Sequence, residues 1–172
     1  VTLDDAGSRN AIGPDVNPTI TRVLAAAGGD ADVRAVVLAG ANGYFSAGGN
    51  MRALRRTVEM SPAERDALTD RLATMIRTVR ELDKPVIAAV EGGAAGIGFA
   101  LALACDLIVA GRDARFAAAQ VRLGLTPDGG ITRFLLDAMP RQLASEICLL
   151  GQPVSADRLH AFGLVTRLVD GG

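Results

Sequence analysis

The sequence of 172 residues contains no tryptophan, one histidine and two cysteines, and aromatic residues make up only 3% of it. One histidine and two scattered cysteines are too few for a dedicated zinc site. So few aromatic rings argue against a surface on which nucleic-acid bases stack. The net charge of −1 gives no basic footprint for nucleic acid and no polybasic patch for a membrane. No uninterrupted apolar run reaches the roughly 18 residues of a membrane span. The composition therefore argues against a zinc protein, a nucleic-acid-binding protein and a membrane protein.

Apolar residues are abundant, at 49% of the chain, and charged residues make up 22%. This balance predicts a folded protein, and the length fits one domain with a substantial core. Both cysteines, Cys105 and Cys148, lie in apolar stretches with a helical pattern. They are typical of buried free thiols in a cytoplasmic protein rather than of a disulfide.

The segment Lys84–Ala110 has the clearest pattern in the chain. An apolar run over Val86–Val90 predicts a buried strand, and Phe99–Cys105 predicts a buried helix. Between them lies a glycine-rich turn, and Leu107–Ala110 again predicts a strand. Such a turn at a helix N-terminus presents backbone N–H groups that can bind a phosphate, a carboxylate or a developing oxyanion. The alternative is a tight connection whose glycines serve only close packing.

Strands and helices alternate through the rest of the chain. The pattern predicts α/β class with mostly parallel strands. Gly40–Asn50 and Leu125–Gly130 are two further loops rich in glycine. The other predicted elements are strands at Val1–Leu3, Arg34–Leu38, Arg115–Ala117 and Leu164–Val169, and helices from Pro14 to Gly29, Pro62 to Asp83, Ile131 to Ala138, Arg141 to Leu150 and Ser155 to Phe162.

Several common catalytic motifs are absent. The sequence has no GxSxG, no Walker loop and no HExxH motif. The glycines of Gly93–Gly98 are not followed by the acidic residue of a dinucleotide-binding fold. What remains is a pair of glycine-rich loops and a third loop that carries an acid. This set suits a substrate oxygen bound by backbone N–H groups with a carboxylate nearby.

Five segments together resemble the crotonase (enoyl-CoA hydratase/isomerase) superfamily: Arg9–Ile12, Val33–Asn50, Lys84–Ala110, Ala114–Gly130 and Gly151–Val165. The resemblance implies an α/β fold of the ββα-spiral type and a homotrimer or dimer of trimers. It also implies a coenzyme A thioester as substrate, with no metal and no organic cofactor. Members of this superfamily stabilise a thioester enolate with two backbone N–H groups.

The motifs carry four of the family's roles to residues of this chain. The two oxyanion donors are the N–H groups of Gly49, in SAGGN, and of Ile97, in AAGIG. Ala47 and Arg52 flank the adenine and phosphate parts of coenzyme A by the same resemblance. Only main-chain groups are required of the two donors, so the side chain of Ile97 is no obstacle. One such donor contributes roughly 3–4 kcal/mol to transition-state stabilisation.

The acids depart from the pattern of the family's hydratases. Ala100 and Gln120 stand where those enzymes have the two glutamates that activate water. Asp128, in TPDGG, matches the aspartate that some members use as sole base or nucleophile, and one carboxylate suffices to move a proton in an isomerisation. An alternative role for Asp128 is to cap the helix that follows it.

The closest match in motif is to ring-epoxide isomerases and alternative-type oxepin-CoA hydrolases. The resemblance therefore predicts isomerisation of an unsaturated or ring-epoxide acyl-CoA, with Asp128 as proton shuttle. One alternative is an enoyl-CoA hydratase whose acids come from elsewhere, and another is a catalytically silent acyl-CoA-binding subunit. We expect one crotonase-like domain over residues 1–172, whose first strand begins before Val1 and whose C-terminal helices follow Gly172.

Overall fold

The computed structural model describes residues 1–170. The strands are β1 (Thr2–Leu3), β2 (Val36–Gly40), β3 (Val86–Val90), β4 (Gly93–Ala95), β5 (Leu107–Gly111), β6 (Arg115–Ala117), β7 (Val154–Ser155) and β8 (Arg167–Val169). The α-helices are α1 (Val16–Gly29), α2 (Met51–Arg56), α3 (Pro62–Arg80), α4 (Ile97–Ala104), α5 (Ile131–Ala138), α6 (Arg141–Leu150) and α7 (Ala156–Ala161). Short 3₁₀ helices cover Ala6–Ser8, Thr57–Glu59 and Ala119–Leu123.

Two sheets form the interior framework. The larger has the order β1-β2-β3-β5-β8, with every neighbouring pair parallel. The smaller has the order β4-β6-β7, in which β4 and β6 are parallel and β6 and β7 antiparallel. The chain passes from the large sheet to the small sheet and then into a helix, first through β3, β4 and α4 and again through β5, β6 and a 3₁₀ helix. The predicted α/β class and ββα spiral are thereby confirmed.

Helix α4 lies at the centre of the core. All eight of its residues are buried, which matches a helix that is apolar all round. The rings of Phe99 and Phe116 lie 5.4 Å apart between centroids and are tilted by 56°, a favourable aromatic geometry. Phe45 is also fully buried. Each such side chain contributes about 1.5–3 kcal/mol through burial. The N-terminus of α4 is therefore held rigidly by the packing around it.

Local signals in the sequence place most helices correctly. Ser61 and Glu64 form a reciprocal capping box at the start of α3, where Pro62 is the first residue. Helices α5 and α6 have the predicted bounds. Helix α2 and strand β4 are absent from the sequence prediction, which extends the glycine turn over the residues of β4. Strand β4 is invisible to the hydrophobic pattern because its three residues are Gly-Ala-Ala, and its partner lies far along the chain.

Some boundaries were also wrong. The last strand begins at Arg167 rather than Leu164, and α4 begins at Ile97 rather than Phe99. Both cysteines are free thiols as predicted, with Cys105 buried and Cys148 half-buried. Among residues 1–170, no helix has the length and apolar character needed to cross a membrane.

Candidate active site

The loop after β2 runs beside the glycine turn that precedes α4. Ser46 and Ala94 form a parallel bridge between the two segments. The N–H of Ser46 donates to the carbonyl of Gly93 at 3.2 Å, and the N–H of Ala95 donates to the carbonyl of Ser46 at 3.0 Å. These bonds fix the register of the two loops against each other. The two glycine-rich loops that the sequence analysis selected therefore meet in space.

Two glycines allow this close approach. Gly48 has φ of +95°, and a Cβ placed on it would lie 2.5 Å from the carbonyl oxygen of Ala95. A Cβ on Gly98 would lie 2.7 Å from both Cβ and Oγ of Ser46 and 2.8 Å from its carbonyl oxygen. Contacts this short do not occur between real side chains and backbone. Glycine is thus required at both positions by the packing of one loop on the other.

The two predicted oxyanion donors follow the bridged segments. Gly49 lies three residues after Ser46, and Ile97 lies three residues after Ala94. Within residues 1–170, neither N–H donates a hydrogen bond to a protein acceptor. Ile97 is the first residue of α4, so its N–H belongs to the positive end of the helix dipole. Unpaired donors of this kind can bind an oxygen that carries negative charge.

Two buried polar residues, Asn10 and Ser46, stabilise the conformation of the loop Gly40–Asn50. Asn10 has φ of +58°, and its side-chain amide donates to the carbonyls of Ala41 and Tyr44 at 2.9 and 2.6 Å. The hydroxyl of Ser46 donates to the carbonyl of Asn10 at 2.8 Å and accepts from the N–H of Gly48 at 3.2 Å. Neither role could be predicted from the sequence, in which the RNAI segment indicates the family but no function for these residues.

Asp128 lies on the third loop, at the edge of a cavity of about 430 Å³. Its carboxylate Oδ1 accepts a hydrogen bond from Nε2 of Gln120 at 2.7 Å. Helix α5 begins after Gly130 and has no side-chain cap. The alternative that Asp128 caps this helix through its side chain is therefore wrong. The remaining cavity wall comes from α3 and the adjoining glycines: Thr69, Leu72, Ala73, Ile76, Arg77, Arg80, Gly129 and Gly130.

Gly129 brings the acid-bearing loop against the start of α4. A Cβ on Gly129 would lie 2.6 Å from Cδ1 of Ile97 and 2.7 Å from Cβ of Ala100. Ala100 is fully buried. The loop with Asp128 therefore packs on the turn of helix that carries the second donor, and it fills the space beside Ala100.

The two residues predicted to contact coenzyme A lie within the loop Gly40–Asn50 and just after it. Ala47 and Arg52 are both exposed. The N–H of Ala47 donates to the carbonyl of Arg9 at 2.9 Å. Asn50 caps α2 by accepting hydrogen bonds from the N–H groups of Arg52 and Ala53. Arg52 therefore projects from the first turn of a helix that follows the Gly49 loop directly. Within the described residues, no three His, Cys, Asp or Glu side chains form a group that could bind a metal ion.

Comparison with known proteins places this geometry in a family. A model of the enoyl-CoA hydratase/isomerase family matches residues 1–170. The chain belongs to the enoyl-CoA hydratase/isomerase family. Its predicted membership of the crotonase superfamily is thus confirmed.

Some individual relatives are named hydratases and others isomerases. The chain is 32% identical over 169 residues to 2,3-dehydroadipyl-CoA hydratase of Escherichia coli, covering 96% of this chain and 63% of that protein. It is 33% identical over 172 residues to 1,2-epoxyphenylacetyl-CoA isomerase of the same species, covering 99% and 65%. An enoyl-CoA hydratase structure from Polaromonas sp. JS666 superposes with a TM-score of 0.95 at 42% identity, covering 99% and 66%. The chain thus spans about two thirds of the length of these relatives.

Proposed function

We propose that this protein acts on a coenzyme A thioester and isomerises an unsaturated or ring-epoxide acyl group. The observation that carries the proposal is the pair of unpaired N–H groups of Gly49 and Ile97, with the Asp128 loop packed beside them. The proposed reaction needs no metal and no organic cofactor. Coenzyme A enters as part of the substrate.

For an unsaturated acyl group, the reaction proceeds by moving one proton. The carboxylate of Asp128 removes a proton from the acyl chain, and the electron pair of the broken C–H bond passes into the thioester carbonyl. The resulting enolate oxygen accepts hydrogen bonds from the N–H groups of Gly49 and Ile97. The carboxylic acid of Asp128 then returns the proton at another carbon, and the double bond ends in a new position. Positioned acid–base catalysis of this kind contributes about 10²–10⁴-fold to a rate.

The substrate occupies two parts of the surface. The coenzyme A part lies along the exposed segment with Ala47 and Arg52, where the guanidinium attracts phosphate. The acyl part enters the cavity of about 430 Å³ between α3 and the Asp128 loop. Leu72, Ala73 and Ile76 give this cavity an apolar wall. Its dimensions suit a medium-sized acyl group.

Packing around Ala100 favours isomerisation over hydration. A glutamate at this position would compete for space with the Asp128 loop, since even a Cβ added to Gly129 would lie only 2.7 Å from Cβ of Ala100. Position 120 carries an amide, which acts as neither a Brønsted acid nor a Brønsted base near neutral pH. Asp128 is thus the one acid on this loop, and a single carboxylate is enough for isomerisation.

Hydration is the second candidate, because hydratase names occur among the relatives beside isomerase names. The Escherichia coli 2,3-dehydroadipyl-CoA hydratase and the Polaromonas enoyl-CoA hydratase carry the first kind of name. A hydratase built on this chain would draw the missing acids from elsewhere. We further propose that the whole protein assembles as a homotrimer or a dimer of trimers. Exposed Leu136, Leu149 and Leu150 would be covered in such an assembly.

A panel of 2-enoyl-, 3-enoyl- and ring-epoxide acyl-CoAs tests the proposal with wild type and Asp128→Asn. We expect conversion of a 3-enoyl or ring-epoxide substrate, and a loss of at least about 10²-fold in Asp128→Asn. Affinity for a saturated acyl-CoA should change little in that variant. Turnover that survives the substitution would refute the proton shuttle. Rapid hydration of a 2-enoyl-CoA would favour the second candidate, and acyl-CoA binding without any turnover would identify a silent binding subunit.

A further inference from the structure

Gln120 lies between the oxyanion turn and the candidate base. It sits in the 3₁₀ helix Ala119–Leu123 and is only 8% exposed. Its Nε2 donates to Oδ1 of Asp128 at 2.7 Å. Among the described residues, this is the one side-chain hydrogen bond that the Asp128 carboxylate accepts. The orientation of the amide follows from this contact, since the flipped amide would set two oxygens against each other at that distance.

The other end of the same amide has no protein partner. Oε1 of Gln120 is buried and accepts no hydrogen bond from residues 1–170. A buried acceptor without a donor costs about 1–3 kcal/mol. A Cβ placed on Gly96, the residue before Ile97, would lie 4.0 Å from this oxygen. Cδ and Nε2 of Gln120 would lie 3.9 Å from the same Cβ, so the whole amide, including its unpaired acceptor, lies beside the turn that carries one of the two oxyanion donors.

We propose that Gln120 is a positioning residue for Asp128 and an acceptor for an O–H group bound at this site. Nε2 holds Oδ1, which leaves Oδ2 of Asp128 to act on the substrate. Oε1 accepts a hydrogen bond from a hydroxyl of the acyl group or from a water molecule. The first part rests on the proposed role of Asp128 as the base.

The neutral amide has a specific chemical consequence. A glutamate at position 120 would bring a second carboxylate to hydrogen-bond distance of Asp128. Two carboxylates at that separation share one proton instead of ionising independently. With glutamine the pair contains one titratable group and a permanent donor, which suits a single base. Gln120 thus helps to explain why this chain can use Asp128 alone.

The pH dependence of Gln120→Glu tests the positioning role. We expect the acid limb of its pH–rate profile to move upward by about one unit or more, because the carboxylate pair retains a proton. Carbon-13 NMR of the aspartate carboxyl groups, with Asp128 assigned by its loss in Asp128→Asn, gives the same comparison without turnover. Independent titration of the two carboxyl groups in Gln120→Glu, with no sign of a shared proton, would overturn the inference. Activity retained in Asp128→Asn would instead overturn the proposed function.

Gln120→Leu removes both polar ends at similar volume. We expect kcat to fall about tenfold to hundredfold as the base loses its orientation, while KM and the melting temperature change little. A melting temperature that falls with kcat would indicate a structural role, and the Gln120→Glu titration then decides. An unchanged kcat would contradict positioning.

The acceptor role is tested by comparing 3-hydroxybutyryl-CoA with butyryl-CoA in wild type and Gln120→Leu. If a substrate hydroxyl is the donor, wild type binds 3-hydroxybutyryl-CoA about tenfold more tightly than butyryl-CoA. Gln120→Leu then shows no such preference. If water is the donor, both proteins show the same ratio, and a crystal structure of wild type with bound butyryl-CoA shows a water molecule within hydrogen-bond distance of Oε1. Equal ratios together with no water molecule at Oε1 would overturn this part.

Discussion

The candidate site has two halves that are built in different ways. The oxyanion half, Ser46–Gly49 with Gly93–Gly98, is fixed by backbone hydrogen bonds and by contacts that only glycine allows. The acid half, Gln120–Gly130, consists of the end of a 3₁₀ helix and a largely exposed loop, in which one side-chain hydrogen bond orients Asp128. The first half depends on backbone geometry, and the second depends on which side chains it carries.

This difference separates what the site can bind from what it can do. Backbone N–H groups stabilise an enolate regardless of the acyl group that produced it. The side chains at positions 100, 120 and 128 then determine where the proton goes. A family built this way can change its reaction by substitution in the acid half while the oxyanion half stays the same. The mixture of hydratase and isomerase names among the relatives fits this division.

The strongest test of the comparison is Gly98→Ala, which acts on the oxyanion half. The new methyl group would meet Ser46 at 2.7 Å and force the two loops apart. We expect kcat/KM to fall by about 10²–10³-fold as one oxyanion donor is displaced. Overpacking should also lower the free energy of unfolding by about 1–3 kcal/mol. Kinetics with the best acyl-CoA substrate and urea unfolding measure the two effects.

Gly29→Ala is the matched control for this variant. Gly29 is also a helical glycine, but a Cβ there meets no atom within 4 Å. Its activity should equal that of wild type. Equal activity of Gly98→Ala and Gly29→Ala would show that the close contact of the loops is not needed for catalysis.

Gly129→Ala is a smaller perturbation, placed where the two halves meet. The methyl group would press on Ile97 and Ala100 and push the Asp128 loop away from the donors. We expect kcat to fall about tenfold to hundredfold because a displacement of the base by about 1 Å is enough for this. Gly124→Ala is the control, since Gly124 also has positive φ, at +73°, but has open space around it. If both variants lose activity equally, backbone strain rather than the contact is responsible.

Most of the fold could be predicted because its signals are local. The apolar run of β3, the capping box of α3 and the amphipathic patterns of α5 and α6 can be recognised from neighbouring residues alone. Strand β4 could not be predicted in this way, because its identity depends on pairing with β6. The small sheet was missed for the same reason.

The candidate site shows the same division. The motifs selected Gly49, Ile97 and Asp128, and the structure brings their loops together. The bond between Gln120 and Asp128 could not be predicted, because it depends on how the 3₁₀ helix Ala119–Leu123 turns toward the next loop. The brace formed by Asn10 and Ser46 joins segments 36 residues apart and leaves no periodic pattern. Pairs of this kind emerge only from the folded chain.

The smallest expected difference between the two halves of the site is in the reactivity of the two cysteines. Cys105 adjoins the oxyanion half and Cys148 the acid half. Cys105 follows α4 directly, and burial raises the pKa of its thiol from 9.0 to about 12. Cys148 lies on α6, which packs against the 3₁₀ helix of the acid half, and burial raises its pKa in the same direction. Because Cys105 is the more deeply buried, we expect a thiol reagent to modify it more slowly than Cys148 in the native protein. Labelling in urea should remove the difference.

The raised pKa of Cys105 also predicts how stability depends on pH. The unfolded thiol ionises near pH 9.0, whereas the folded thiol resists ionisation until about pH 12. The free energy of unfolding should therefore be unaffected by this group below pH 9 and should fall as the pH rises from 9 toward 12. Cys105→Ala should remove that part of the decline in urea titrations at pH 8 and pH 10. If Cys105 were instead modified as rapidly as Cys148 at pH 8, the oxyanion half would open as readily as the acid half, and the contrast between a rigid and an adaptable half would be wrong.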